Sequence, residues 1–302
     1  MNAVLIIDKP AGLTSHDVVN RVRGILGERS VGHLGTLDPL ATGVLPLVVG
    51  SLTRLAQFYT DSEKRYEGTV RFGFATDTYD AEGEPAGAPQ AVRTSLSELQ
   101  QLAAGFRGTV KQMPPPFSAK KIHGVPAYKL ARRKKEVKLE PVEVEIREFE
   151  ITAFAQDCAS FRARVGPGTY MRSVAHELGS MVGCGAHLAS LRRTGVAEFT
   201  LAEAHTLASL ARAAEEGQCD ALCVHPRRLL PEMPSVTVND ELAAMIRSGR
   251  AVNLPEFSRA KQVKVFHGQS DLIAIATRVA GTLFHPRIVL AGTPVAPVSG
   301  QR

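Results

Sequence analysis

The sequence predicts an α+β protein: a mixed, largely antiparallel sheet with helices, followed by a small β-barrel-like unit. Three observations carry that reading. Short apolar runs of strand character alternate with helical spacings, yet no regular βαβ repeat emerges, which disfavours a doubly wound parallel sheet. Two capping-box signatures mark helix starts inside the strand-rich region. Beyond a Pro-containing boundary at Leu230-Pro231-Glu232-Met233-Pro234, one helical spacing sits among several short strand-like runs.

Taken in order, residues 3–7 (AVLII) read as a short buried strand and Lys9-Pro10-Ala11-Gly12 as a turn. Thr14 and Asp17 are spaced as a capping box, and Val18, Val19, Val22, Ile25 and Leu26 share one helical face. A Gly-rich loop, 32–43, leads to a strand at 44–49, then a short helix over 51–59. Residues 65–74 have strand character, and the polar stretch 76–83 reads as a loop. Ser95 and Glu98 form the second capping box, ahead of Leu99, Leu102, Ala103 and Phe106 at helical spacing. Met113-Pro114-Pro115-Pro116 forbids regular structure, because consecutive prolines supply no amide donors. Pro126 suits the first turn of a short helix running towards Lys134. Strands are expected at 143–154 and 161–165, and a helix over 169–182 after a Gly-Pro-Gly turn. The terminal unit, 235–302, starts with a strand at 236–238. A helix over 240–247 follows, then strands at 263–266, 272–279 and 287–290.

The chain has 302 residues, 44% apolar and 22% charged, which is ordinary globular composition with room for one large core and a small module. Lys plus Arg is 36 against 30 Asp plus Glu, a net charge of +6 that leans towards a polyanionic partner. Cys158, Cys184, Cys219 and Cys223 form no CxxC. Cys219, Cys223 and His225 lack a nearby fourth ligand, so reduced thiols are expected. The start of the chain has no signal-peptide pattern, and no apolar run approaches the roughly 20 residues of a membrane helix. A cytoplasmic protein is expected. There is no GxxxxGK[ST] and no GxSxG, and His176-Glu177 lacks the second His of HExxH because Ser180 stands there. No cofactor or metal is expected, so the chemistry falls to side chains.

The stretch 32–43, Gly32-His33-Leu34-Gly35-Thr36-Leu37-Asp38-Pro39-Leu40-Ala41-Thr42-Gly43, is where chemistry is expected. Pro39 biases Asp38 towards an extended backbone, and Gly35 and Gly43 permit close approach of another chain. An isolated Asp-Pro is more often a turn cap, but a loop rich in Gly, His and Asp between core elements is where sites are built.

This stretch, GxLDPxATG preceded by Gly-His, resembles the signature of the bacterial TruB family of tRNA pseudouridine synthases. Lys9-Pro10-Ala11-Gly12-Leu13-Thr14-Ser15 is similar to that family's KPxGxTS. Lys64-Arg65-Tyr66, Gly168-Thr169-Tyr170-Met171-Arg172-Ser173, and Gly183-Cys184-Gly185-Ala186-His187-Leu188 running to Leu191-Arg192-Arg193 follow in the same order. Five matches in order are far more specific than any one. The HRLDxxTSG pattern of ribosomal RNA synthases is absent. Ala41-Thr42-Gly43 differs from the VTG of the RNA-guided relatives, although Thr36 is shared with them. Val142 stands where family members often carry Arg.

The resemblance covers about residues 3–235. It implies a pseudouridine synthase fold over 1–234, with a basic RNA-binding insert at about 113–140 and a PUA-like module over 235–302. It implies isomerisation of uridine 55 in the T-loop of tRNA, without cofactor, on a flipped-out base. Asp38 is the implied catalytic carboxylate, with three roles open: attack on the sugar, attack on the base, or removal of a sugar proton. Arg172 is its implied partner, and Tyr66 the implied general base or its orienter. Tyr170 and Leu191 would line the base pocket, Lys9 and His33 would bind substrate, and Asp80 would buttress the pocket.

The densest charge lies between Lys120 and Lys138: Lys120, Lys121, Lys129, Arg132, Arg133, Lys134, Lys135 and Lys138 against Glu136. Pro115, Phe117, His123 and Tyr128 are interleaved, the pairing of stacking groups and cations that reads RNA loops. The expected partner is the tRNA elbow, bound by a monomer with no obligate protein partner and no membrane. A non-catalytic tRNA-folding chaperone is the alternative. A glycosidase ranks last, because it needs a second catalytic carboxylate.

Overall fold

The computed structural model describes residues 1–117 and 140–290, with the backbone of 121–122 and 125–126. In chain order the elements begin with β1 (Ala3–Lys9), α1 (Ser15–Leu26), β2 (Val31–His33), β3 (Thr42–Val49) and a 3-10 helix (Gly50–Tyr59). Next come β4 (Lys64–Phe72), α2 (Leu96–Ala104), β5 (Gly108–Gln112), and the short pair β6 (Lys121–Ile122) and β7 (Val125–Pro126). Then follow β8 (Val142–Ala155), β9 (Cys158–Val165), α3 (Met171–Val182), β10 (Ala186–Val196), β11 (Phe199–Thr200) and α4 (Leu207–Glu215). The terminal unit contains β12 (Ser235–Val238), α5 (Asp240–Arg247), β13 (Val252–Asn253), β14 (Gln262–His267), β15 (Asp271–Ala280) and β16 (Leu283–Val289).

The large sheet runs β1-β3-β10-β4-β9-β8-β5, with β2 on β3 and β11 on β10. The β3–β10 pair is parallel and the other pairs are antiparallel, so the sheet is mixed and largely antiparallel as expected. Burial explains the two kinds of strand sequence. β1 and β3 are covered on both faces and read as continuous apolar runs. Leu5, Ile7, Leu45 and Leu47 enter one core with Val18 and Val22 of α1. Val4, Ile6, Val44 and Val48 enter a second core with Phe266, Ile275 and Ile288 of the smaller sheet. β8 has one solvated face and alternates buried with exposed residues. The smaller sheet, β12-β14-β15-β16-β13, thus shares an apolar core with the back of the large one. The sequence boundary at 230–234 leads into β12 without separating the packing there.

Both capping boxes form. Thr14 caps α1 through the Asp17 amide, and Ser95 caps α2 through the Glu98 amide, with the reciprocal bonds in place. The helix over 51–59 forms, wound as 3-10 throughout, and two expectations need correction. His33 ends a short strand rather than sitting in a free loop, because Val31–His33 pairs with Leu47–Val49. Pro126 pairs with Lys121 in a two-stranded ribbon instead of opening a helix. The helix expected towards Lys134 lies outside the described residues. β10, the strand that joins the two halves of the large sheet, had no counterpart in the sequence reading.

Candidate active site

Asp38 sits in the connection between β2 and β3, and that connection is fixed from three sides. The Ser15 hydroxyl accepts from the Leu37 amide at 2.8 Å and donates to the Leu37 carbonyl at 3.1 Å, which ties the loop to the first turn of α1. Lys9 is fully buried, and its ammonium donates to the carbonyls of Pro10 (2.9 Å), Leu13 (2.6 Å) and Pro39 (3.2 Å). Arg193, on β10, donates to the carbonyls of Gly35 (3.0 Å), Thr36 (3.2 Å) and Val44 (2.8 Å), bracketing the loop at both ends. Gly43 makes the close approach possible. It has φ +98°, and a Cβ there would lie 2.2 Å from the Arg193 carbonyl oxygen.

The carboxylate is held by Arg172 near the start of α3. Arg172 Nε donates to Asp38 Oδ2 at 2.9 Å and Nη2 to Oδ1 at 3.1 Å, a bidentate fork. The Arg172 side chain is 6% exposed and that of Asp38 37% exposed, so the guanidinium is buried and the carboxylate meets the cavity. The remaining Arg172 donors go to the carbonyls of Thr78 (3.2 Å) and Phe117 (3.0 Å). Asp80 flanks the same guanidinium, with Oδ2 3.6 Å from Nε, and its other oxygen accepts from the Thr78 hydroxyl and the Glu82 amide. Tyr79, at φ +66°, bends this segment back and stacks on His176, one helical turn after Arg172. Gln112 of β5 fixes Tyr170 through both its amide and its carbonyl.

Two cavities meet at Asp38. An inner one of about 260 Å³ is lined by Asp38, Tyr66, Tyr170, Leu191, Lys64 and Arg193, among others. An outer basin of about 700 Å³ is lined by Asp38, Arg172, Asp80, His33, His16 and Glu82, among others. Roomier or comparable clefts exist at Pro231–Pro234 (about 950 Å³) and over Glu67 and Arg162 (about 640 Å³). Neither of these gathers Asp38 with an arginine fork.

Burial, then the neighbouring Arg193 and His16, hold His33 below the usual histidine range. Burial, reinforced by Asp80 and Asp38, lifts Glu82 above the usual carboxylate range. Burial pulls Lys9 down to about 8.

Asp38, Tyr66, Tyr170 and Leu191 therefore share the inner cavity, while Arg172, His33 and Asp80 join Asp38 at the outer one. Lys9 needs correction: its ammonium turns inward onto backbone carbonyls, so it holds the Asp38 loop and offers no cation to a substrate. Lys120, Arg132, Arg133 and Lys134 lie outside the described residues, as does the side chain of Lys121. The sequence reading named no role for Ser15, Gln112 or Arg193. Arg193 stood in a quoted motif, and a charged residue at a strand's inward position was the available signal.

Residues 23–171 match the TruB family pseudouridylate synthase N-terminal domain, and residues 172–233 match the tRNA pseudouridylate synthase B C-terminal domain. The chain is 48% identical over 293 residues to tRNA pseudouridine synthase B of Solibacter usitatus, covering 96% of this chain and all of that one. The chain belongs to the TruB family. Another tRNA pseudouridine synthase B, from Geotalea uraniireducens, is 36% identical over 97% of this chain and 93% of its own. Among solved structures, an H/ACA RNP bound to a substrate RNA containing 2′-deoxyuridine superposes with a TM-score of 0.70. That likeness covers 96% of this chain and 85% of that one, and at 22% identity it speaks for the fold alone. As a TruB family member the chain is an isomerase that forms pseudouridine in tRNA. No helix among the described residues is long and apolar enough to cross a membrane.

Proposed function

We propose that the enzyme acts on uridine 55 of the tRNA T-loop, flipped out of its stack so that the base enters the inner cavity and the sugar meets Asp38. The observation that carries this reading is the Arg172 fork on Asp38 at the junction of the two cavities. A base cannot be worked on inside a stack, and a flipped nucleotide needs a closed pocket beside an open approach. In this reading the smaller cavity, about 260 Å³, takes the base and the larger basin, about 700 Å³, the approach, with Asp38 lining both.

Cleavage of N1–C1′ builds positive character at the sugar, which a carboxylate stabilises, as in glycosidases. Arg172 presents both Asp38 oxygens in one fixed plane, so little reorganisation is needed when charge develops. The electron pair of N1–C1′ leaves with the base, the base turns, C5 bonds to C1′, and the C5 proton departs while N1 regains one. Tyr66 faces this space with its hydroxyl against Arg193, in position to take or relay that proton. Tyr170 and Leu191 supply the apolar walls. The segment 113–140 is the RNA-gripping insert of this reading, and the unit after residue 234 a PUA-like module reaching further along the tRNA.

The test is tRNA carrying tritium at uridine C5. The wild-type enzyme should release the label, Asp38→Asn should release none, and replacing uridine 55 by cytidine should abolish release. Release from the cytidine-55 transcript would overturn the position. Unimpaired Asp38→Asn would overturn the role of the carboxylate.

A further inference from the structure

The inner cavity carries more positive charge than the reaction described above employs. Lys64 and Arg193 both line it, each within 4 Å of where a Cβ on Gly35 would stand, and Asp38 is the acidic residue among its described lining. That carboxylate is already forked by Arg172. Among the described residues neither Lys64 nor Arg193 takes part in an ion pair of 4 Å or less. Arg193 is 1% exposed and donates to three carbonyls, with the Tyr66 hydroxyl also against it, and no carboxylate among the described residues pairs with it. Lys64 is half-buried and donates to the Ser62 carbonyl. A guanidinium stays protonated even when burial opposes it, so the two partly or fully buried groups repel each other. Burial and the Arg193 charge both pull the Lys64 ammonium down, with Asp61 opposing. A like-charge pair held in that way is stabilised by an anion placed between it and the cavity.

We propose that Lys64, backed by the field of Arg193, is a subsite for an anionic oxygen of the bound nucleotide. This rests on the reading that the inner cavity takes the target uridine. Strand geometry supports the placement. Lys64 and Tyr66 lie two residues apart on β4, so they share one face, and Tyr66 is opposite Arg193 in the β4–β10 register. A base lying over Tyr66 has its edge or its flanking backbone within reach of the Lys64 ammonium. Two oxygens of that nucleotide can carry the charge. A flanking phosphate carries it permanently, so Lys64 would strengthen binding. The pyrimidine oxygens carry it only after the N1–C1′ electron pair has left with the base and before C5 joins C1′. In that case Lys64 would speed bond cleavage without tightening binding.

The experiment uses the full-length protein with T-arm RNA hairpins under single-turnover conditions, comparing wild type, Lys64→Met and Lys64→Arg. Lys64 is half-exposed, so the Met variant should fold, and its thermal midpoint checks this. One set of hairpins carries a neutral methylphosphonate on either side of the target uridine. If the phosphate is the ligand, one such replacement weakens wild-type binding about tenfold and leaves the Met variant, already about tenfold weaker, unchanged. A second set carries 5-fluorouridine, whose base departs more readily, with cleavage followed by nuclease digestion and chromatography. If the departing base is the ligand, Lys64→Met binds like wild type and cleaves uridine at least tenfold slower. It then recovers more than wild type does on 5-fluorouridine. Lys64→Arg retains function in either case. The proposal is overturned if the Met variant stays within twofold of wild type in both binding and cleavage. It is also overturned if its losses simply multiply with every substrate change. Failure of wild type to release C5 tritium from unmodified RNA would sink the uridine reading instead, and the methylphosphonate binding arm would still decide the subsite.

Discussion

Two buried arginines serve the two cavities that share Asp38, and they do different work. Arg172 comes from the first turn of α3 and Arg193 from the inward face of β10. Arg172 divides its donors between a carboxylate and two carbonyls, with a second carboxylate alongside. Arg193 gives its donors to three carbonyls on the two flanks of the Asp38 loop. The carboxylate-paired arginine fixes the direction of a side chain, the Asp38 carboxylate. The carbonyl-paired one fixes a stretch of backbone and leaves its charge for the cavity. The same side chain thus serves as orienter or as clamp according to whether its partner can move as a side chain.

The sharpest way to break this contrast is to remove each arginine. Arg172→Met should lower single-turnover pseudouridine formation by about 10²–10³-fold, the usual cost of losing one preorganised electrostatic partner. It should also destabilise the fold by roughly 3–5 kcal/mol, because the buried Asp80 loses its cation. Arg172→Lys keeps the charge but not the planar fork, so it should recover stability better than rate. Arg193→Met should show the reverse balance. Three carbonyls lose partners at about 1–3 kcal/mol each, offset by release of the buried charge, so a loss of about 3 kcal/mol in denaturant unfolding is expected. Its rate at temperatures where it stays folded should fall less than that of Arg172→Met. Equal rate losses would erase the distinction between orienter and clamp.

Gly43→Ala probes the clamp without touching any charge. The added methyl would meet the Arg193 carbonyl oxygen at 2.2 Å, in a backbone conformation that already disfavours a side chain by about 1–2 kcal/mol. The strand pair must part to admit it. Stability should fall by at least about 2 kcal/mol, and activity should fall with it as the Asp38 loop loosens. Because the methyl meets the backbone of residue 193, the stability loss should persist in an Arg193→Met background, while the activity losses, which both act through the Asp38 loop, should be less than additive in a double-mutant cycle.

The elements that carry the site also differed in how well they could be read from sequence. Asp38, Arg172, Tyr66, Tyr170 and Leu191 were legible because each sits in a motif whose pattern resembles a family, and the structure gathers them at one place. The strands β1 and β3 were legible as apolar runs, and α1 and α2 as capping boxes. β10 was not, because its inward positions include His187 and Arg193, both buried polar groups that break the apolar periodicity a strand is recognised by. The resemblance placed Lys9 in substrate binding, and only the fold reveals three carbonyls converging on its ammonium. Where a charge is satisfied by backbone rather than by another side chain, one-dimensional spacing holds no partner to find.

His33 offers the smallest effect and a direct reading of the Arg193 field. Its imidazole is mostly buried, Nδ1 has no partner among the described residues, and the groups acting on it are Arg193 and His16, with Asp38 on the same basin. Burial first, and the two cations next, hold it below the usual value near 6.5, so the folded protein keeps it neutral where the unfolded chain takes up a proton. The unfolded state then binds more protons, and stability falls as pH drops from about 6.5 towards the lowered folded value. The slope from one such group cannot exceed about 1.4 kcal/mol per pH unit. His33→Gln should remove that part of the acid sensitivity, measured as denaturant midpoints between pH 5 and 8. Arg193→Met should reduce it without touching the histidine, since one of the two cations is gone. An unchanged acid slope in Arg193→Met would mean that burial and His16 set His33, and that the clamp's charge does not reach the outer basin.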